Sequence, residues 1–460
     1  MEGDSDLAFD YLGPHLASRG YIFVSVDENF LNTAWFDVLP GGPESASRGW
    51  MLLEHLRQWA LWNGQAGNPL QGKVDTGNIA LIGHSRGGEA VSIAGFLNRL
   101  SKLPENGNVS LDYQYDIRSV ISIAQVDGLY RPTQRGTPLA DVNFLSIHGA
   151  YDGDATLFWG ASQYERTSLS ADSNAVKSLI YVGNANHSGF TTRWIGYEKP
   201  RPNDWIITTT PIMAPKDQHK IAQGYIAAFL DLTLKQEQAY RPLFQSYLAG
   251  QDWLPDSRYI SRYADSKFLP LANFEEDLDP GTGSIEGSTL TGYLLDEWSE
   301  QLASHKDEAL AFNIGQLAWQ VLGARLSIEF SSPGTEQYPI EAVSLSVADV
   351  RSCEPCEPLD FSVQLGDKNG QVVALPLSHI QALQPPIHAQ YMKLGIFNSL
   401  PDWEPVLQTY YFPITMFTQQ NPGLDAAALS EISLVFDRSP GGKVWLDDIG
   451  LHGGSKRTSN

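Results

Sequence analysis

Asn78-Ile79-Ala80-Leu81-Ile82-Gly83-His84-Ser85-Arg86-Gly87-Gly88 decides how the first half of this chain is read. An apolar strand pattern, Asn78 to Ile82, runs into Gly83-His84-Ser85-Arg86-Gly87, and a helical pattern follows through about Leu100. The pentapeptide matches G-x-S-x-G. Its glycines permit a tight strand-to-helix turn that lifts a serine oxygen above a sheet, near a helix N-terminus. The motif alone occurs by chance in many proteins, and an ordinary glycine-rich turn is its bland alternative. A strand before it and a helix after it make it more specific.

The surroundings repeat that alternation. Tyr21-Ile22-Phe23-Val24-Ser25-Val26 is a nearly continuous apolar run and is expected to be a buried strand. Leu52, Leu53, Leu56, Trp59 and Ala60 carry helical spacing. Further strands are expected at 119–123, 142–147 and 178–182, and a helix over about 216–234. Strands alternating with helices predict an α/β fold with a mostly parallel sheet and flanking helices.

Past about residue 250 short alternating strands replace the helical spacing. Phe361, Val363 and Leu365 alternate, Asp367-Lys368-Asn369-Gly370 supplies a hairpin turn, and Val372-Val373-Ala374-Leu375 returns. Ile432, Leu434 and Phe436 repeat the pattern, and Ser439-Pro440-Gly441-Gly442 turns the chain into Val444-Trp445-Leu446-Asp447-Asp448-Ile449. This predicts a C-terminal antiparallel β-sandwich of jelly-roll type. The expected division is an α/β domain over 1–250, a linker over 251–268 and a sandwich over 269–454.

Composition narrows the function classes. The 460 residues are 42% apolar and 18% charged, a globular balance that suits two domains. The net charge of -22 excludes nucleic-acid binding through a general basic surface. Residues 1–250 hold 25 acidic and 19 basic side chains, and residues 251–460 hold 28 and 12, so most of the excess sits in the second half. No stretch approaches the roughly 18 apolar residues of a transmembrane segment. The first six residues are acidic and polar, unlike the basic start of a signal peptide.

A nucleophilic serine needs a base, and the base needs an orienting carboxylate. The strand at 142–147 ends in His148-Gly149-Ala150-Tyr151-Asp152-Gly153-Asp154, and that at 178–182 in Gly183-Asn184-Ala185-Asn186-His187-Ser188-Gly189. Both follow C-terminal strand ends, where chemistry gathers in such sheets. The candidate triad is Ser85, Asp152 and His187, with spacings of 67 and 35 residues. Asp154 is the alternative acid. His148 precedes the acid and is expected to be structural, as is His84, while Arg86 and Glu89 are spaced for a helical ion pair. Trp35, Phe36, Phe158, Trp159, Phe190 and Trp194 fall in loops after strands and are candidates for an apolar substrate pocket.

Together these residues make 1–240 resemble an α/β-hydrolase of the serine esterase/lipase type. Leu16-Ala17-Ser18-Arg19-Gly20-Tyr21 through Asp27 is similar to the fourth strand of dienelactone hydrolase, chlorophyllase and platelet-activating-factor acetylhydrolase relatives. Gly83 to Gly88 resembles the elbows of chlorophyllase-type and bacterial esterases. The resemblance implies Ser85 as nucleophile, Asp152 as acid and His187 as base. It also implies the Arg86 backbone N–H as an oxyanion donor, carboxylic ester hydrolysis through an acyl-enzyme, and no cofactor. A small-molecule ester is the implied substrate. In that family the third strand and its His-Gly turn come before the segment that starts here, so the α/β domain is expected to be N-terminally incomplete.

The second half resembles galactose-binding-like or carbohydrate-binding modules, on Asn273-Phe274-Glu275-Glu276-Asp277 and Val444 to Ile449. That resemblance implies a glycan or other ligand, and a structural calcium with Glu275 and Asp447 as candidate ligands. Solvated surface charge is their plain alternative. Cys353-Glu354-Pro355-Cys356 is read as a local disulfide or two free thiols, because one pair cannot fill a zinc site. Two other functions stay open. One is a peptidase joining a hydrolase domain to a jelly roll, although such enzymes usually carry tyrosine where Arg86 stands. The other is a non-catalytic glycan- or protein-binding protein with a relic hydrolase domain. The domain resemblance favours the cell envelope or the outside of the cell.

Overall fold

The structure is a computed structural model that describes residues 4–33, 43–196, 198, 203–306, 308–331, 339–390, 392–394 and 401–453. The chain divides into two compact units. One comprises Met1–Arg241, Asp252–Tyr259 and Gln390–Ser399, and the other Pro242–Gln251, Ile260–Ala389 and Leu400–Asn460.

In the first unit, four strands pair in parallel in the order β1 (Ile79–His84), β2 (Ile117–Ile123), β3 (Asn143–Gly149) and β4 (Val176–Val182). β3 is buried at every position, and β2 and β4 at all but one. That is why their sequences read as continuous apolar runs rather than as alternation. β1 pairs with β2 alone among these strands and is mostly half-buried, as befits an end of the parallel row. Helices flank the strands: α1 (Leu12–Ala17) and α2 (Pro43–Gly64) precede β1, α3 (Arg86–Leu97) lies between β1 and β2, α4 (Trp159–Glu165) between β3 and β4, and α5 (Pro215–Thr233) follows β4. Pro215 opens α5, where its missing N–H costs no hydrogen bond. One face of α5 buries Ile221, Tyr225, Ile226 and Phe229. Each such side chain contributes about 1.5–3 kcal/mol relative to exposure.

The expected strand at 21–26 does not form. The segment carries no regular structure and belongs to no sheet, and Ile22 and Val24 are exposed at 54% and 44%. A strand exists through ladder hydrogen bonds, and among the described residues none reaches this segment from a neighbouring strand. Apolar content alone therefore misread it. Side chains hold it instead: Tyr21 Oη donates to Asp231 Oδ1 at 2.8 Å, and Arg19 pairs with the same carboxylate.

The second unit is a β-sandwich. One antiparallel sheet runs Glu297–His305, Glu308–Trp319, Gly442–Gly453, Ile340–Asp349 and Gln408–Pro413, with Phe268–Ala272 also paired to Gly442–Gly453. The other runs Thr289–Tyr293, Ala324–Glu329, Leu429–Phe436, Ser362–Asp367 and Val372–Pro376. Their inner faces share one core, in which Leu317, Val343, Leu345 and Leu446 meet Leu326, Val363, Ile432 and Leu434. Trp319 stacks on Phe436 with ring centroids 4.0 Å apart.

The turn at 367–370 follows from its residues. Gly370 takes φ +80°, and the Asp367 carboxylate accepts N–H bonds from Asn369 and Gln371, both at 2.9 Å. Cys353 and Cys356 form a disulfide. Arg262, only 1% exposed, pairs with both Asp447 and Asp448.

Candidate active site

β1 ends at His84 and α3 begins at Arg86, which leaves Ser85 alone to turn the chain. Ser85 takes φ 57° and ψ -123°, a region that non-glycine residues rarely occupy. The turn is held by backbone bonds: Ser85 N–H donates to Ile123 O at 2.9 Å, and Gly88 N–H donates to Ser85 O at 2.9 Å. Ser85 makes no side-chain capping bond to α3, so its hydroxyl is not spent on the helix. Close approach dictates the flanking glycine. A Cβ at Gly83 would lie 2.0 Å from the carbonyl oxygen of Gly87.

The loops after β3 and β4 bring Asp152 and His187 together. His187 Nδ1 lies 2.8 Å from Asp152 Oδ2, and both side chains are buried. Burial raises the Asp152 carboxyl above its ordinary range, and the nearby His187 offsets only part of that rise. Burial alone would lower His187. The Asp152 carboxylate overrides that effect, aided by Asp154 and Glu198, and the imidazole titrates above its ordinary value.

Of the two acids weighed from the sequence, Asp152 meets the Nδ1 side of the ring, while Asp154 Oδ2 stands 3.5 Å from Nε2 and is largely exposed. His84 links the serine turn to the histidine loop through its contact with the His187 carbonyl oxygen at 3.1 Å. Among the described residues no hydrogen bond joins Ser85 Oγ to His187. Such contacts are often long without substrate and tighten when one binds.

His148 is buried between Phe158 and Tyr181, with ring centroids 5.3 and 5.7 Å away, and its Nε2 lies 3.9 Å from Asp152 Oδ2. Arg86 and Glu89 do not pair with each other. Arg86 sends its guanidinium to Glu44 at 2.9 and 3.1 Å. Glu89 turns inward and accepts from Tyr130 N–H at 3.1 Å, and burial pushes its carboxyl up to about 7. Helical spacing placed the two charges within reach, but α2 offered Arg86 a bidentate acceptor. Glu44 also pairs with Arg48, which reaches Glu28, so a chain of charges anchors the turn to α2.

The pocket candidates divide. Phe158 and Phe190 are core residues, at 3% and 0% exposure, and the Phe158 ring packs against Tyr181 with centroids 4.8 Å apart. Trp159 and Trp194 are half-buried. Trp35 and Phe36 lie outside the described residues.

In the sandwich, Glu275 is exposed and accepts a bond from Asn313 N–H, while Asp447 is taken up by Arg262. Among the described residues no group of three or more acidic, histidine or cysteine side chains could hold a metal ion. The Asp447 carboxylate is spent on the buried guanidinium of Arg262.

The sequence reading missed Glu198, which is buried between the two catalytic-candidate loops. It accepts from Gly153 N–H, His187 N–H, Ser188 N–H, Ser188 Oγ and Asn186 Nδ2 at 3.1, 3.2, 2.8, 2.6 and 2.6 Å. No local motif marks it.

No protein-family model matches the sequence, and no curated protein matches it. Solved structures similar to part of the chain are an exo-β-agarase and carbohydrate-binding modules. The exo-β-agarase is 12% identical, with a TM-score of 0.27, over 42% of this chain and 26% of its own length. A family 30 carbohydrate-binding module of a Clostridium thermocellum cellulosomal cellulase is 11% identical, with a TM-score of 0.26, over 41% of this chain and 99% of its own. A family 11 module from the same source is 12% identical, with a TM-score of 0.25, over 42% and 98%. This chain thus spans about a quarter of the agarase and nearly all of each module. Scores this low assign no function.

Proposed function

We propose that the first unit is a serine hydrolase acting on carboxylic esters. One observation carries this reading: a buried Asp152–His187 pair, tied through His84 to a serine held in strained backbone at a strand-to-helix turn. In the reaction, His187 Nε2 removes the Ser85 proton and Ser85 Oγ attacks the ester carbonyl. Asp152 holds Nδ1–H and stabilises the imidazolium. The Arg86 N–H, at the start of α3, supports the oxyanion. His187 returns the proton to the leaving alcohol, and water then releases the acyl group from Ser85 by the same route in reverse. The test is a panel of p-nitrophenyl esters together with a fluorophosphonate probe. Ester turnover and covalent labelling at Ser85 are expected, and absence of both overturns the reading.

For the sandwich we propose glycan binding. A cleft of about 420 Å³ is lined by Val350, Arg351, Ser352, Trp403 and Lys443. Trp403 is half-buried, and its indole N–H donates to Arg351 O at 3.0 Å, which fixes the ring. An aromatic face beside polar groups suits a sugar. Calorimetric titration of the full chain with neutral oligosaccharides, and its loss in Trp403→Ala, tests this. A null titration with the wild-type chain refutes it. The Cys353–Cys356 disulfide supports a proposed location in an oxidising compartment, at the cell envelope or outside. Among the described residues no helix is long and apolar enough to cross a membrane.

A further inference from the structure

Asp152 and His187 sit on different loops, and their 2.8 Å contact requires those loops to be fixed against each other. Backbone bonds join the two loops only where they leave the sheet, Ala150 N–H to Val182 O at 3.0 Å and Tyr151 N–H to Ala185 O at 2.9 Å. Among the described residues no backbone bond between the loops involves Gly153, His187 or Ser188, so a side chain must hold the backbone next to the pair. We infer that Glu198 is a positioning residue, a carboxylate clamp that fixes the acid loop and the histidine loop in one geometry; the inference rests on the hydrolase reading above.

The clamp has two jaws. Glu198 Oε2 accepts from Gly153 N–H at 3.1 Å, one residue beyond Asp152, and from His187 N–H at 3.2 Å. Oε1 accepts from Ser188 N–H at 2.8 Å, Ser188 Oγ at 2.6 Å and Asn186 Nδ2 at 2.6 Å. One oxygen therefore spans both loops while the other grips the histidine loop on either side of His187. Five donors on a buried carboxylate form a charge-assisted set, stronger and shorter than neutral bonds. They also satisfy three backbone N–H groups that would otherwise be left unpaired in the interior.

Charge follows from the same placement. Glu198 is one of three acidic groups, with Asp152 and Asp154, whose fields favour the protonated imidazole. The other titratable neighbours are His84 against the His187 ring and His148 near Asp152. A glutamine at position 198 keeps the shape but loses the charge. It also presents an amide N–H₂ to groups that are all donors, so one jaw opens.

The experiment uses the full chain and p-nitrophenyl ester turnover. Glu198→Gln is expected to lower kcat on the order of 10²-fold, the usual effect of a small misplacement of reacting groups, with KM unchanged. Its kcat/KM profile is also expected to shift its acid limb to lower pH. Glu198→Asp, which keeps the charge, should lose kcat while holding the wild-type pH midpoint. Should Glu198→Gln show no melting transition, Ser188→Ala removes one donor and is expected to lower kcat with KM unchanged. A Glu198→Gln protein that melts normally and keeps both the wild-type kcat and pH profile overturns the clamp, and so does an unaffected Ser188→Ala. Absence of turnover and of Ser85 labelling in the wild-type chain fails the hydrolase reading itself, a result distinct from active but insensitive variants.

Discussion

The imidazole of His84 lies against that of His187, ring centroids 4.4 Å apart, with His84 Nε2 3.1 Å from the carbonyl oxygen of His187. Burial and the neighbouring His187 hold His84 well below the ordinary histidine value, so it is neutral. Because the carbonyl can only accept, Nε2 carries the proton and donates. The residue beside the serine thus tethers β1 to the histidine loop. His84→Ala should lower ester kcat by about fivefold to tenfold, the loss of one hydrogen bond of about 1 kcal/mol. Steady-state kinetics on a p-nitrophenyl ester measures it, and an unchanged kcat would remove the tether from the mechanism.

Ser85→Ala should reduce ester turnover by on the order of 10⁴–10⁶ while the melting curve stays that of the wild type. The substitution deletes only an oxygen that makes no capping bond to α3. Rates comparable to wild type in this variant would eliminate Ser85 as nucleophile.

Ester turnover should rise toward alkaline pH. The Asp152 carboxylate raises His187 above the ordinary imidazole value of about 6.5, so at neutral pH part of the population is protonated and cannot accept the serine proton. The base form appears as pH climbs through that raised value, and kcat/KM climbs with it. Asp152→Asn removes the carboxylate, should move the midpoint down and should cost on the order of 10⁴ in kcat. A wild-type profile already flat by pH 6 would contradict the electrostatic assignment.

Gly83→Ala should be among the most damaging single-methyl additions in the first unit. Its Cβ would meet the Gly87 carbonyl oxygen at 2.0 Å, and the atoms it meets, in Gly87 and Gly88, are backbone of the serine turn that cannot swing aside. Overpacking of this kind costs about 1–3 kcal/mol or more. A thermal melt and fluorophosphonate labelling should both decline, and retention of both would show that the turn can widen.

Arg262→Ala should destabilise the sandwich by about 3–5 kcal/mol, because it leaves the buried Asp447 and its neighbour Asp448 without their shared cation. Denaturant unfolding of the full chain reports it. Replacing Asp447 and Arg262 together by apolar residues should recover part of the loss, which distinguishes stranded charge from lost contact.

Much of the architecture was legible in local pattern. The runs at 119–123, 142–147 and 178–182 became buried parallel strands because burial on both faces demands apolar residues at every position. The Asn369-Gly370 turn was legible because only a few residues tolerate its positive φ. Tyr21 to Val26 shows the limit of this reasoning. The same apolar signal appears there, yet whether a strand forms depends on a neighbour to pair with, and local composition carries no information about that. Phe158 and Phe190 show a second limit. Their places past the strand ends are legible in the sequence, but the direction of each ring, inward to the core, is set by packing.

By itself the sequence determined the alternation of strand and helix, the change to antiparallel strands after residue 250, and the serine turn with its acid and histidine loops. Each of these is encoded in neighbouring residues through periodicity, glycine placement and turn chemistry. Only the tertiary structure decided that Asp152 rather than Asp154 meets His187 Nδ1, that Arg86 pairs with Glu44, that Arg262 occupies Asp447, and that Glu198 joins the two loops. These partners lie far apart in the chain or compete at similar spacing. The outcome rests on which charge can be desolvated with its hydrogen bonds satisfied, a property of the folded interior and not of any one segment.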